Sequence, residues 1–425
     1  MPAYIIAGLC TAALLLFILV KPDRAIYLRN LTLPLLGVIF ILALILFSET
    51  SVNAALKGVR LWLDIVLPSL FPFFVASEVL NSTGFVRATG VLLEPVMRPL
   101  FKVPGCGSFA LAMGITSGYP VGARITCSLL ENGDISRSEA ERLLAFTNNS
   151  GPLFIVGAVA TGMYGIPSLG LFLLACHIAA AFTVGILLGF FNSQGNKKQP
   201  VKKEKTFNKL RNEMLVFRKK KLTNIGTVFG DAIKNSVSLI IAIGAFIIFF
   251  SVVINLLLDT RIIGFIADIL AFILAPAGIN ADMISAVLSG FFEITTGASM
   301  ASKVISIPIA AKLSFTSLII GWAGLSVHSQ VYSITSNKGI SMKPYILGKF
   351  LQGLIAAFFT WIGMQFNFFK ELAGSPVLSS EQMKASSGWQ SVFINSLTYL
   401  AFVLGIYGIF CLGAFLARGT NKKTP

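Results

Sequence analysis

The sequence is poor in charged side chains, above all in acidic ones. Asp and Glu number 18 against 34 Lys and Arg in 425 residues, and charged residues make up only 12% of the chain. Hydrophobic residues make up 55%. A soluble globule of this length needs more polar surface than that composition supplies. The composition therefore excludes a soluble fold and indicates an integral membrane protein.

Motifs for catalysis, metal binding and nucleotide binding are also missing. The sequence contains no HExxH, no GxSxG and no phosphate-binding Walker loop, and it has only two histidines. Its five cysteines form no CxxC pair and lie mostly in apolar sequence, which is typical of small buried hydrophobic side chains. These absences argue against an enzyme, a metal centre and a bound cofactor. An ATP-driven pump would need a separate motor subunit.

Apolar runs of about 20 residues follow one another along the chain. A helix of that length crosses the ~30 Å of hydrocarbon in a bilayer, so the runs predict spanning helices rather than a barrel. We predict an all-α polytopic membrane protein with about nine spanning helices, the first three near residues 3–20, 31–48 and 59–80. Pro68 and Pro72 predict a kink or a break in the third, because each proline removes a backbone hydrogen bond.

Basic residues are concentrated in a few loops, which is the positive-inside pattern. The richest loop, residues 192–222, contains eleven Lys and Arg against Glu204 and Glu213. It predicts a cytoplasmic linker, with the N-terminus outside and the C-terminus inside. A regulatory or lipid-binding role for this loop stays open, with membrane lipid as the partner, whereas nucleic-acid binding is not indicated.

Two polar, glycine-interrupted stretches recur half a chain apart. Gly114 to Arg124 reads GITSGYPVGAR, and a shift of 176 residues leads from Gly114 to Gly290 in GFFEITTG. The same shift takes Ser150, in FTNNSGP, to Ser326, in GWAGLSVH. Polar breaks at matching places in two halves of a membrane protein point to a substrate site.

Each half is predicted to contain a re-entrant hairpin followed by a broken helix. Basic loops on both sides of residues 105–130 predict that this segment enters and leaves the membrane on one side, and residues 262–302 are its counterpart. Broken helices follow at 148–152 and 316–336. Because the first repeat starts outward and the second inward, the halves are predicted to be inverted, as in alternating-access transporters.

Local signals divide the chain further. Ser136, followed three residues later by Glu139, predicts a capping box at the start of the helix that leads into the first break. We predict five segments: N-terminal helices at 1–55, a first gate repeat at 56–191, the basic linker at 192–225, a second gate repeat at 226–370, and an outer loop, last helix and tail at 371–425.

Ionisable side chains inside a bilayer are costly and point to function or to a buried partner. Arg124 could bind a carboxylate with two hydrogen bonds or extend to the headgroups. Glu293 could serve as a counter-ion, a proton carrier or a hydrogen-bond partner of the substrate. His328 could bind a carboxylate or make an interhelical hydrogen bond. The candidate substrate-binding residues are Thr116, Ser117, Arg124, Asn148, Asn149, Ser150, Glu293, Thr295, Thr296, Ser326 and His328.

The tips and breaks resemble the nucleoside-recognition gate domains and, more distantly, the concentrative nucleoside transporters. More closely, GYPVGAR from Gly118, ENG from Glu131 and FTNNSGP from Phe146 resemble the YlbJ (SpoVV) family of sporulation integral membrane proteins. The resemblance implies a transporter that moves dipicolinic acid from the mother cell across the outer forespore membrane. The nucleoside transporters have an asparagine after Gly-Phe-Ala in their last broken helix, where this chain has Gly324, so a ribose contact is missing.

Dipicolinate is a flat dianion near neutral pH, and Arg124, His328 and two helix N-termini are suitable partners for this small anionic substrate. A nucleoside or other small-metabolite carrier stays open as an alternative. So does a sporulation membrane scaffold that recruits partners through residues 192–222. A coupling cation, sodium or a proton, and a homo-oligomeric state are also left open by the sequence.

Overall fold

The computed structural model describes residues 25–82, 97–191, 225–274 and 279–366. These ranges are helical, without a strand in any of them, so the all-α prediction is confirmed. The predicted first span at 3–20, the basic loop 192–222 and the segment 371–425 lie outside the described residues.

The helices are numbered here in chain order. The first half contains α1 (Ala25–Leu46), α2 (Ser48–Leu61), α3 (Leu67–Ser82), α4 (Gly107–Ser117), α5 (Val121–Glu131), α6 (Arg137–Thr147), a π-helix (Phe154–Met163) and α7 (Leu169–Phe191). The second half contains α8 (Ile225–Asp259), α9 (Ile262–Leu274), α10 (Ala281–Phe292), α11 (Ile294–Lys303), α12 (Ile309–Trp322), α13 (Gly324–Thr335) and α14 (Met342–Gly363).

The start of the described chain differs from the prediction. The predicted spans 31–48 and 59–80 leave a loop between them, but residues 51–53 of that interval lie inside α2, and the chain turns by 99° at the junction of α1 and α2 instead. The two prolines do not break the next span. A π-helical turn, Trp62–Val66, precedes Pro68, and helix continues to Ser82. A widened turn accommodates the missing N–H and the bulk of a proline ring.

From the hairpins onward, the order of elements is the same in the two halves. The hairpin of two short helices is α4–α5 in the first half and α10–α11 in the second, where residues 262–302, predicted as one hairpin, also contain α9. Each hairpin is followed by a broken helix, α6 with the π-helix or α12 with α13, and then by a long helix, α7 or α14. This order agrees with the predicted repeat. The inverted orientation of the halves and the entry of the hairpins into a membrane stay predictions.

Several helices in the described ranges are long and apolar enough to span a membrane. They are α7, α8, the α12–α13 pair and α14, and the bent α1–α2 pair adds a fifth if it counts as one span. The predicted total of about nine also counts residues that lie outside these ranges, so that number stays a prediction.

Small residues allow α12 and α14 to pack closely. A Cβ added to Gly321 would lie 2.5 Å from the Cα of Gly353, and Ser317 Oγ lies 2.7 Å from Thr360 Oγ1. Small side chains and hydroxyl contacts of this kind are what join helices in lipid, where apolar side chains gain little from leaving the solvent. The contact holds α14 against the second broken helix, which matters for the site.

The predicted capping box is present at the start of α6. The backbone N–H of Glu139 donates to Ser136 Oγ at 3.4 Å, and the backbone N–H of Ser136 donates to Glu139 Oε2 at 2.8 Å. This reciprocal cap satisfies two N–H groups that have no partner inside the helix. It fixes the helix that ends at the first break.

Candidate functional site

The first hairpin packs its backbone directly onto the first break. α6 ends at Thr147, and a Cβ added to Gly114 or Gly122 would lie 1.7 or 2.6 Å from the Thr147 carbonyl oxygen. At the tip, Gly118 has φ +77°, a conformation that favours glycine. A Cβ there would also lie 2.7 Å from the nitrogen of Gly151. Glycines therefore bring the hairpin tip and the unwound backbone together.

The second half repeats this arrangement at Glu293. This residue separates α10 from α11, is 1% exposed, and accepts hydrogen bonds from the backbone N–H groups of Thr295 at 2.9 Å and Thr296 at 2.6 Å. The broken helix turns at Ala323 and Gly324, with φ +75° and +80°. A Cβ added to Gly324 would lie 3.2 Å from the Cα of Glu293. Again a hairpin tip meets a helix break.

A cleft lies where the two tips and the two breaks come together. The cleft is open at its mouth, and the space it encloses is about 60 Å³. Ser117 Oγ is buried in its wall and has no hydrogen-bond partner among the described residues. The cleft is lined by Ser117, Gly118, Tyr119, Gly151, Glu293, Thr295, Ser326 and Gln330, and α3 and α8 contribute the apolar residues Leu70, Phe74, Phe246 and Ile247.

Tyr119 separates the cleft from a polar network behind it. Its hydroxyl accepts a hydrogen bond from Ser150 Oγ at 2.9 Å and donates to the Ile320 carbonyl at 3.2 Å. The ring of Tyr119 also lies 5.9 Å from Lys349 Nζ, measured to the ring centroid. The first hairpin tip is thereby tied to the first break and to the second broken helix.

The network is centred on the first break and α14. Lys349 and Gln352 are both 0% exposed. Lys349 Nζ donates to Gln352 Oε1 at 2.6 Å and to Asn149 Oδ1 at 3.4 Å, and Gln352 Nε2 donates to the same Asn149 oxygen at 2.9 Å. His177 Nε2 on α7 accepts the backbone N–H of Ser150 at 3.3 Å.

A second chain of hydrogen bonds connects the two breaks. Asn148 Nδ2 donates to the Tyr345 hydroxyl at 3.1 Å, and His328 Nδ1 lies 3.2 Å from the same hydroxyl. His328 also packs against Trp322, with ring centroids 4.4 Å apart. One of the two roles left open for His328, an interhelical hydrogen bond, is therefore present.

The structure brings most of the predicted residues together. Those buried at the tips and breaks are Ser117, Asn148, Asn149, Ser150, Glu293, Thr295, Ser326 and His328. Thr296 is half-buried beside Glu293. Thr116 is exposed and donates to the Ala112 carbonyl at 2.8 Å in its own helix. Arg124 is exposed on α5 and does not line the cleft.

Sequence reasoning missed the polar face of α14. Tyr345, Lys349 and Gln352 have the i, i+4, i+7 spacing that places side chains on one face of a helix. The cost of an ionisable residue in an apolar span, which singled out Glu293, applies equally to Lys349. That criterion, applied to α14, would have found the lysine.

Comparison with known proteins gives the family. A family model described as "Gate: Nucleoside recognition" matches residues 63–167. The sporulation integral membrane protein YlbJ of Bacillus subtilis (strain 168) is 39% identical over 320 residues, which cover 74% of this chain and 78% of that protein. The chain belongs to the YlbJ family. The gate match in this YlbJ-family chain includes the first hairpin and the first break.

Solved structures show the same fold. CNTnw, a concentrative nucleoside transporter, in an inward-facing substrate-bound state has a TM-score of 0.51 at 16% identity, covering 85% of this chain and 91% of that one. A doubly substituted CNTnw in an outward-facing state has a TM-score of 0.50 at 15% identity, with 85% and 92% covered. The YlbJ-family chain thus has the fold of CNTnw.

Proposed function

We propose that this protein is a sporulation membrane transporter that moves dipicolinic acid from the mother cell across the outer forespore membrane toward the developing spore. Membership of a sporulation membrane protein family and the likeness to a transporter fold support this proposal. The observation that carries it is the cleft, because two hairpin tips and two helix breaks from opposite halves meet around one space. Sites at such repeat interfaces are where alternating-access transporters bind their substrates.

The cleft has the two kinds of wall that a flat aromatic acid needs. Leu70, Phe74 and Phe246 supply an apolar surface, and Ser117 and Ser326 contribute hydroxyl groups to the lining. Apolar walls with a few converging polar groups are typical of small-molecule sites. The buried, unpartnered Ser117 hydroxyl favours a polar ligand, because an unsatisfied buried hydroxyl is costly.

A complementation experiment tests this proposal. A sporulating strain that lacks the protein is complemented with the wild type, with Glu293→Ala, or with Asp282→Asn, which removes an exposed carboxylate from the same hairpin. We expect the wild type and Asp282→Asn to restore dipicolinic acid in the spore. Glu293→Ala should leave it in the mother cell, while immunoblots show the variant in the membrane.

Two results would redirect the proposal. If spores fill with dipicolinic acid without the protein, transport of this substrate is excluded. If Glu293→Ala is active while replacement of the lysines in residues 192–222 by glutamine abolishes sporulation function, a scaffold acting through that loop is favoured.

A nucleoside is the second candidate substrate, and the fold shared with CNTnw favours it. The purified protein distinguishes the two candidates in a competition assay. Displacement of bound radiolabelled nucleoside by other nucleosides, with no effect of dipicolinic acid, would replace the first candidate by the second.

A further inference from the structure

Lys349 is a buried cation whose hydrogen-bond partners are neutral. Its side chain is 0% exposed, and its ammonium donates to the amide oxygens of Gln352 and Asn149. Within the described ranges, Lys349 forms no ion pair with a carboxylate. A buried charge without an opposite charge is strongly disfavoured. An anion that approaches such a lysine would stabilise its charged form, so the position of Lys349 points to an anionic ligand.

The position of Lys349 connects it to the cleft. The ring of Tyr119 lies between them, lining the cleft and standing 5.9 Å from Lys349 Nζ. Asn149, which accepts from the ammonium, is two residues from Gly151, and Gly151 lines the cleft. The positive charge thus lies one side chain behind the cleft wall, in surroundings where charges act over longer distances than in water.

The acidic residue of the cleft does not neutralise this lysine. The carboxylate of Glu293 accepts two backbone N–H groups at the N-terminus of α11, where the helix dipole and the N–H groups stabilise a negative charge. These N–H groups, rather than Lys349, are the partners that the carboxyl group contacts. Among the described residues, the Lys349 ammonium donates to two amide oxygens, and the Ser117 hydroxyl in the cleft wall has no hydrogen-bond partner.

We infer that the Lys349 ammonium is the charge that selects an anionic substrate, a small carboxylate, in this cleft. The inference rests on the proposal that the cleft binds a transported substrate, and it does not depend on the name of that substrate. Lys349 acts as a specificity-determining residue. It favours carboxylates over neutral molecules of the same shape by electrostatic attraction.

Binding to the purified full-length protein tests the inference. The ligands are dipicolinate, picolinate with one carboxylate fewer, and pyridine-2,6-dicarboxamide, which has the shape of dipicolinate without its charge. We expect the wild type to bind dipicolinate most tightly. Lys349→Gln should lower dipicolinate affinity at least tenfold with little change for the diamide, and Lys349→Arg should keep the preference for the dianion.

Lys312→Gln is the matched control. Lys312 on α12 lies 6.0 Å from the centroid of the Tyr164 ring and donates to the Ser302 carbonyl at 3.2 Å, so it has a similar aromatic and neutral environment. It does not line the cleft. Its substitution should leave the ratio of dipicolinate to diamide affinity as in the wild type.

Gln352→Glu tests the same charge without removing the lysine. In the wild type, Gln352 Oε1 accepts from Lys349 Nζ at 2.6 Å. The substitution replaces this amide by a carboxylate, which should form an internal ion pair with Lys349 and neutralise its charge. We expect dipicolinate affinity to fall as in Lys349→Gln, with no drop in the thermal unfolding midpoint. This variant decides the question if Lys349→Gln does not fold.

The outcomes separate the inference from the proposed function. One outcome is that Gln352→Glu, and Lys349→Gln if that variant folds, bind dipicolinate as tightly as the wild type does. In that case Lys349 does not select the substrate, and the transport proposal stands. If the wild type binds another carboxylate from a panel of mono- and dicarboxylates, and both variants lose it, Lys349 selects anions and the proposed substrate is wrong. If the wild type binds only neutral nucleosides, both fail.

Discussion

The Glu293 carboxylate makes hydrogen bonds within the protein, without a substrate. It accepts the backbone N–H groups of Thr295 and Thr296, which are the first groups of α11 without a partner in the helix. The residue is therefore an N-cap at the tip of the second hairpin. This role explains how a carboxylate can be 1% exposed with no cation beside it in the sequence.

The loss of stability caused by a substitution at Glu293 should depend on how many of its hydrogen bonds remain. Glu293→Gln retains one oxygen acceptor, whereas Glu293→Ala leaves two buried N–H groups without a partner. Loss of a cap costs about 1 kcal/mol, and a buried unsatisfied group costs about 1–3 kcal/mol. We expect thermal unfolding in detergent to give the order wild type, Glu293→Gln, Glu293→Ala. Equal destabilisation by the two variants would contradict the capping role.

Arg124 occupies a different position from the one that a substrate ligand needs. It is exposed on α5 and does not line the cleft, whereas the buried cation near the cleft is Lys349. Of its two roles left open by the sequence, extension to the headgroups agrees better with this exposure. The positive charge for a carboxylate is available on α14 instead.

At the scale of the elements, the hairpins are positioned by glycines that face backbone. In the first hairpin, a Cβ at Gly114 would lie 1.7 Å from the carbonyl oxygen of Thr147. In the second, a Cβ at Gly297 would lie 2.2 Å from the Cα of Gly290, so the two arms of that hairpin touch. The neighbours are backbone atoms, which cannot move aside as a flexible side chain can.

Gly114→Ala should therefore disturb the contact between the first hairpin and the first break. Overpacking of this kind typically costs about 1–3 kcal/mol, and we expect a lower unfolding midpoint and loss of transport. The control is Gly37→Ala in α1, where a Cβ would meet nothing within 4 Å. That change should leave stability unchanged or raise it by about 0.5–1 kcal/mol, because alanine favours a helix. Normal transport by Gly114→Ala would show that the close contact between the first hairpin and the first break is not required for transport.

At the scale of the whole molecule, the two halves are joined through α14. The Tyr345 hydroxyl lies between Asn148 in the first break and His328 in the second. Gln352 connects Asn149 with α14 across 203 residues of sequence. The two breaks therefore share hydrogen-bond partners on one helix, α14.

Tyr345→Phe should weaken this connection with little change in volume. It leaves two buried polar groups without their shared partner, at a cost of about 1–3 kcal/mol. We expect a lower unfolding midpoint and slower uptake of dipicolinic acid into proteoliposomes. Tyr332→Phe is the control, because Tyr332 is 59% exposed on α13 and should tolerate the loss of its hydroxyl. If both variants behave alike, the Tyr345 hydroxyl does not couple the breaks.

Local chemistry was sufficient to predict a helical protein, its location in a membrane and the positions of the helix breaks. Composition predicts a helical membrane protein because a chain with so little polar surface has no stable soluble form. Ser136 and Glu139 predict their own cap because both partners lie within one helical turn. Glycine, asparagine and serine runs predict where the helices unwind, since those residues favour non-helical backbone wherever they occur.

The features of the fold and the site that the sequence did not predict depend on packing between residues far apart in the chain. The helix through residues 51–53 depends on how α2 packs against α8, and no local signal specifies that. Whether Lys349 faces lipid or the interior depends on the side of α14 that Asn149 meets, and those residues are 200 apart in the chain. Contacts across such distances are set by the shape of the whole fold, so the cleft and its buried cation emerge only when the two halves are in place.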